Sequence, residues 1–213
     1  MGLVGERTGT RRIVAVSSAT RDALPEPCVD CVFWQHRRAT SDRARKDRWV
    51  RRAEDACGSW GTLLDSPAGP EGMIQYGPAE LFPRGRRVPA GPPSGDAAVI
   101  TCVFLAGEDP AGTYERLALE CLAHLKSRGT TAVEAFARAL PEDAGPEDLR
   151  GHHTLLDRWL LERLGFSVRR ERGPVALMRL RLGGLEQAPA VRHGLLARLG
   201  LDPPPAPATP LTP

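Results

Sequence analysis

The side chains able to do chemistry are few and scattered. Cys28-x-x-Cys31 is the tightest pair. A structural zinc needs four ligands, normally two such pairs, and only His36 and Cys57 are at hand as further ligands, at no recognised spacing. A redox C-x-x-C pair opens a helix after a strand, whereas this one follows Pro25 and Pro27 and leads into Phe33-Trp34. The pattern points to small thiols packed with Trp34 against a sheet, and no metal site is assigned. Glu134 interrupts the apolar run TTAVEAFA at 130–137 and is the first candidate for a general base; the competing reading is an outward or salt-bridged carboxylate. His152, beside His153, precedes a helical stretch and is a second candidate, against a solvated pair of loop histidines. Tyr114 and Tyr76 are the only tyrosines, so Tyr114 is a candidate proton donor or a packing residue. Cys102 lies in an apolar run and reads as a core thiol, not a nucleophile.

The chain must have the means to position such groups. Its 213 residues, 41% apolar and 26% charged, suit one globular domain with tails. A net charge of +3 makes no case for nucleic-acid binding. No run approaches the roughly 18–20 apolar residues of a membrane helix. The polar stretch Met1–Arg12 is not a signal peptide, so a cytoplasmic protein is expected. Five cysteines there stay reduced. Basic residues are nearly all arginine, Lys46 and Lys126 being the only lysines. The arginine clusters, interleaved with acids, read as solvated faces. Arg84, Arg86 and Arg87 hint at an acidic acceptor or partner.

The elements follow in a mixed order. Residues 1–11 read as a flexible N-terminus and Arg12–Val16 as a short strand. Ser41 to Ala56 is a helix, capped by Ser41 or Asp42 and stopped by Gly58, with Trp49, Val50 and Ala53 inward. Thr62–Leu64 and Gly72–Tyr76 form a hairpin. After a loop rich in Pro, Gly and Arg, Ala97–Leu105 is a near-continuous apolar run, the mark of a central strand covered on both faces. Thr113 to Ser127 is an amphipathic helix, and Thr130–Ala137 a parallel partner strand. Leu155–Leu164 reads as a helix ending at Gly165, followed by strands Phe166–Arg170 and Val175–Leu182. A C-terminal extension, 183–202, carries a short helix at Leu195–Leu199. Pro203–Pro213 is a proline-rich, disordered tail.

In this order, several strings resemble the GNAT N-acetyltransferase superfamily. Gly72-Met73-Ile74-Gln75-Tyr76-Gly77-Pro78 is similar to its third strand, "GYAxYGPP". Leu160-Leu161-Glu162-Arg163-Leu164-Gly165-Phe166 is similar to its "FYEKLGF" junction, and Cys28–Gln35 resembles the "CxxCxFWE" segment of one bacterial branch. Arg128-Gly129 with Val133-Glu134-Ala135 resembles the end of its third helix and its fifth strand. The likeness covers residues 12–182. It implies an α/β (α+β) fold: a mixed, mostly antiparallel central sheet of six to seven strands, flanked by helices, whose central parallel strands splay apart.

The resemblance also implies acetyl-CoA as co-substrate and an amine acceptor of unknown identity, with a homodimer by analogy. Pantetheine would pair with the backbone of Val103, Phe104 and Leu105. The pyrophosphate would sit at Gly112, Thr113, Tyr114, Glu115 and Arg116, at a helix N-terminus that favours anions. This chain departs from the family loop Q/R-x-x-G-x-G/A. Pro110 stands where Arg or Gln is expected, and Thr113 and Glu115 take the glycine positions. Leu161 stands where the family carries the tyrosine that protonates the leaving thiolate. Two functions therefore stand side by side: an N-acyltransferase, or a GNAT-like binding or regulatory protein that has lost the cofactor.

Overall fold

The structure, a computed structural model, describes residues 10–141 and 146–183. The expectations for residues 1–9, for the extension beyond Gly183 with its helix at Leu195–Leu199, and for the tail Pro203–Pro213 fall outside the described residues. In chain order the elements are β1 (Arg12–Ala15), α1 (Glu26–Val29), α2 (Arg43–Cys57), β2 (Gly61–Ser66), β3 (Gly69–Pro78) and β4 (Ala98–Leu105). They continue with α3 (Pro110–Ser127), β5 (Ala132–Arg138), β6 (Gly151–His153), β7 (Leu156–Asp157), α4 (Arg158–Arg163), β8 (Ser167–Arg172) and β9 (Val175–Arg181).

Along the order β1-β2-β3-β4-β5-β9-β8 the sheet is antiparallel except at its centre, where β4 and β5 are parallel, and β6 and β7 join it off this path, on β4 and β5. The apolar run of β4 is buried along its length except for half-buried Phe104, as a strand covered on both faces requires. On one face lie α3 and α4. Tyr114, Leu117, Ala118, Cys121, Leu122 and Leu125 of α3 pack with Ile74, Ile100, Val103 and Leu105 of the sheet. At about 1.5–3 kcal/mol for each large apolar side chain fully buried, packing rather than helix propensity docks this helix. Gly72 is needed there: a Cβ on it would stand 2.6 Å from Thr113 Cγ2 and 2.8 Å from Leu117 Cδ1. On the other face α2 places Trp49, Val50 and Ala53 against the sheet. Trp34 stacks on Phe136 of β5 at 5.5 Å between centroids, and Trp49 meets Trp60 edge-on at 5.2 Å. Asp42 caps α2 by accepting the Arg45 N–H at 2.9 Å, and Gly58 ends it with φ of 71°.

The stretch expected to be one helix from Leu155 is different. Gly151–His153 and Leu156–Asp157 are strands, and only Arg158–Arg163 is helical. Asp157 explains the late start, since its carboxylate accepts the Leu160 N–H at 2.9 Å and so caps the helix three residues further on.

A self-filled fork in the sheet as candidate functional site

The parallel strands pair over three positions only, Ala98↔Val133, Val99↔Glu134 and Ile100↔Ala135. Beyond Ile100 they part, and the fork they leave is filled by the chain itself. β6 lies antiparallel along β4, with Val103 opposite His153, Phe104 opposite His152 and Leu105 opposite Gly151. β7 lies parallel to β5, with Ala137 opposite Leu156 and Arg138 opposite Asp157. Residues 154–155 cross from one lip of the fork to the other. The cavity left between Val103, Leu105, Tyr114, His153, Asp157 and Leu160 measures about 10 Å³, room for about one water. His153 pins the filling segment by donating Nε2–H to the carbonyls of Leu149 and Arg150, both at 2.9 Å.

The start of α3 is closed in the same way. Asp109 is its cap, and the carboxylate accepts the Gly112 N–H at 2.9 Å while lying directly over the Gly112 Cα. A fixed anion thus already occupies the place where a helix N-terminus would receive a phosphate. Pro110 brings no N–H. Thr113 and Tyr114 are buried and face the core, and Glu115 pairs with Arg163 of α4 at 2.6 Å. Arg116 is half-buried beside them. A Tyr114 hydroxyl buried without a partner has its pKa raised well above the usual value, by burial first and then by the Asp157 carboxylate and Cys121.

The other candidate groups are spread over both faces of the sheet. Glu134 is 0% exposed. Its carboxylate accepts the Ser94 N–H at 2.7 Å and the Ser94 hydroxyl at 2.6 Å, and takes Arg169 at 2.6 Å and Arg179 at 2.9 Å. Burial pushes its pKa up, but the Ser94 and arginine hydrogen bonds outweigh it, and the net value lies below the ordinary 4.5. A carboxylate so held is an anchor for two arginines, with little basicity to offer a substrate. His152 sits opposite Phe104 on β4, while His153 sits opposite Val103, so the two rings face opposite sides of the sheet. The His152 Nε2 is buried without a partner; burial first, then the charges of His153 and Lys46, lowers its pKa from 6.5. Leu161 is 0% exposed in the core. Tyr76 is buried, its hydroxyl 3.1 Å from Ser59 Oγ, and its pKa is raised to about 12, chiefly by burial. Burial likewise raises the Cys102 thiol, which donates to Gln75 Oε1 at 3.7 Å, and pushes Cys28 up to about 12. Among the described residues no three His, Cys, Asp or Glu side chains converge to hold a metal ion. The sequence reading brought Val103, Phe104, Leu105 and residues 112–116 to the fork, but it gave neither Asp109 its capping role nor residues 151–157 their place as strands filling the fork. The signals were there: an Asp three residues before Gly112, and a second Asp three residues before Leu160.

These residues do not fit the pantetheine arm and pyrophosphate of acetyl-CoA, since both lips of the fork and the Gly112 N–H already have partners. The fold itself is widely shared. No protein-family profile matches the chain, and no curated protein matches it in sequence. Solved structures do. A ribosomal-protein-alanine N-acetyltransferase from Brucella melitensis aligns over 80% of this chain and 99% of its own, with a TM-score of 0.50 and 14% identity. An N-acetyltransferase from Staphylococcus aureus Mu50 aligns over 82% and 99%, with a TM-score of 0.50 and 9% identity. This chain therefore shares a GNAT-like fold with these N-acetyltransferases.

Proposed function

We propose that this chain is a GNAT-fold binding or regulatory protein that does not hold acetyl-CoA in the family's groove. The observation that carries the reading is the pairing of both lips of the fork by residues 151–157. A backbone edge that is already paired has no free N–H or C=O to offer a ligand, and exchanging one partner for another gains little. The Asp109 carboxylate supports the same reading. Even at an effective dielectric of 20, two like charges about 4 Å apart repel by around 4 kcal/mol, so a pyrophosphate would have to displace it. Leu161 supports it too, because no side chain of α4 stands ready to protonate a leaving thiolate.

One observation favours a second reading, an N-acyltransferase acting on an amine. The fork persists, and the strands that fill it, β6 and β7, are three and two residues long, so short segments separate this conformation from an open groove. In that reading Val103, Phe104 and Leu105 would bind pantetheine once β6 leaves. Gly112, Thr113, Tyr114, Glu115 and Arg116 would line the phosphate end, and His152 would be freed as a base. Glu134 and Tyr114 fit it less well, being held in place or buried. Five free cysteines, three of them buried, suit a reducing compartment and support a cytoplasmic protein in either case. Among the described residues no helix is long and apolar enough to cross a membrane.

Thermal unfolding with and without millimolar acetyl-CoA separates the two readings. A ligand at about 100 times its dissociation constant adds roughly 2.7 kcal/mol, on the order of 5–10 °C in the midpoint for a chain of this size. The binding-protein reading expects no shift beyond that given by pyrophosphate at the same concentration. A shift of that order beyond the pyrophosphate control would overturn it and show that the groove still holds acetyl-CoA.

A further inference from the structure

We propose that a concavity lined by Arg37, Arg38, Arg84 and Arg87 is a binding site for a small ligand bearing a phosphate or pyrophosphate group. The two arginine pairs come from segments far apart in the chain, the loop after α1 and the 3-10 turn Pro83–Arg87. With Val88 they border an open depression of about 370 Å³.

Of the four arginines, Arg84 is fixed by the fold, while Arg37, Arg38 and Arg87 are exposed. The loop is closed by the Cys31↔Ser41 bridge and by the Val32 N–H donating to the Thr40 carbonyl at 2.9 Å. Within it His36 Nδ1 accepts the Ala39 N–H at 2.8 Å. Arg84 ties the two segments together. Its Nε donates to the His36 carbonyl at 3.2 Å, its guanidinium donates again to the Ala39 carbonyl at 3.0 Å, and the group lies 4.0 Å from the Phe33 ring centroid. That leaves the remaining N–H groups of its five-donor fork for a ligand.

Charge makes the second argument. Arg21, Arg43, Arg45, Arg158, Arg163, Arg169 and Arg179 each face a carboxylate. Among the described residues none of Arg37, Arg38, Arg84 and Arg87 does so, and no acid lines the concavity. Four like charges bordering one depression repel one another, and a dianion relieves that repulsion while meeting planar forks shaped for bidentate contact. The hollow is small and lined by five residues, which suits a phosphorylated small molecule better than an extended acidic chain. It shares no lining residue with the fork cavity, so substitutions at its arginines leave that cavity untouched.

Isothermal titration of the full chain with sodium pyrophosphate, phosphate and citrate, at about 20 mM ionic strength where charges are weakly screened, tests the site. Saturable binding is expected, strongest for pyrophosphate and weakened by added salt. The Arg37→Ala/Arg87→Ala double variant should bind at least about tenfold more weakly, a change of roughly 1.4 kcal/mol. Both residues are exposed, so its melting midpoint without ligand should be unchanged, and Arg38→Ala alone provides a second variant should the double one fail to fold. Arg116→Ala, on α3, should bind as the wild type does. No saturable binding of pyrophosphate, equal binding by the double variant, loss in Arg116→Ala instead, or binding of single-stranded DNA without pyrophosphate would each overturn the assignment.

Discussion

Glu134 shows how one residue type serves opposite ends depending on what surrounds it. Its position on the central parallel strand is where a base would be sought, yet Ser94, Arg169 and Arg179 wrap both carboxylate oxygens. Its role is to tie β5, β8, β9 and the loop before β4 into one unit. Removing the charge strands two guanidiniums, and breaking a buried pair of this kind costs about 3–5 kcal/mol. Arg179 also reaches Asp96 at 2.7 Å, and Arg169 is part-exposed, so Glu134→Gln should lose about 3 kcal/mol, the lower end of that range. A urea midpoint measured at neutral pH checks this. A destabilisation below about 1 kcal/mol, the size of an ordinary hydrogen bond, would show that the carboxylate contributes only its bonds to Ser94.

At the scale of elements the segment 149–157 decides the state of the fork. It needs Gly151, whose φ of 96° lies where a β-branched residue is strained. A Cβ added there would meet nothing within 4 Å, so any effect of substitution comes from the backbone and not from a clash. Gly151→Val should therefore destabilise β6 by about 1–3 kcal/mol. Hydrogen exchange should then quicken at residues 151–157 and along the edge of β4 at 103–105, while α2 and β2 keep their protection. Uniform protection across β6 in the variant would mean that α4 and the His153 contacts hold the segment without it. The same variant sharpens the acetyl-CoA test, because a groove closed by β6 alone should gain affinity as β6 loosens.

Over the whole molecule, two groups contribute to the response to acid, alongside the Asp47 and Asp96 carboxylates that hydrogen bonds from Arg21 and Arg179 hold below their usual range. His152 has a folded pKa below 6.5 because burial disfavours its charge, and Glu134 a folded pKa below 4.5 because its donors favour the anion. In both cases the unfolded chain binds more protons, so stability rises with pH across each window. The contribution of His152 is complete above about pH 6.5 and is lost as pH falls through its lower folded value. That of Glu134 is complete above about pH 4.5 and disappears below it in the same way. Urea midpoints between pH 7.5 and 3 should thus fall in two stages. His152→Phe should flatten the upper stage, and Glu134→Gln the lower one. An unchanged upper stage in His152→Phe would place that loss on another group.

Much of this architecture could be read from the residues in order. The apolar run of β4, the stripe of α3, the stops at Gly58, Gly129 and Gly165, and the parallel β4-β5 pair all follow from local patterning, and Pro110, Thr113 and Glu115 already depart from the family's cofactor loop, as Leu161 departs from its tyrosine. Three things were decided only in three dimensions. Residues 151–157 became sheet because the open edges of β4 and β5 supply partners that no local propensity encodes. Glu134 became an anchor because Ser94, Arg169 and Arg179, some 35–45 residues away in sequence, converge on it. Arg37–Arg38 met Arg84–Arg87 because Arg84 bonds the carbonyls of a distant loop. Side-chain periodicity specifies which face of an element is buried, whereas the identity of the group it meets depends on contacts between segments far apart in the chain.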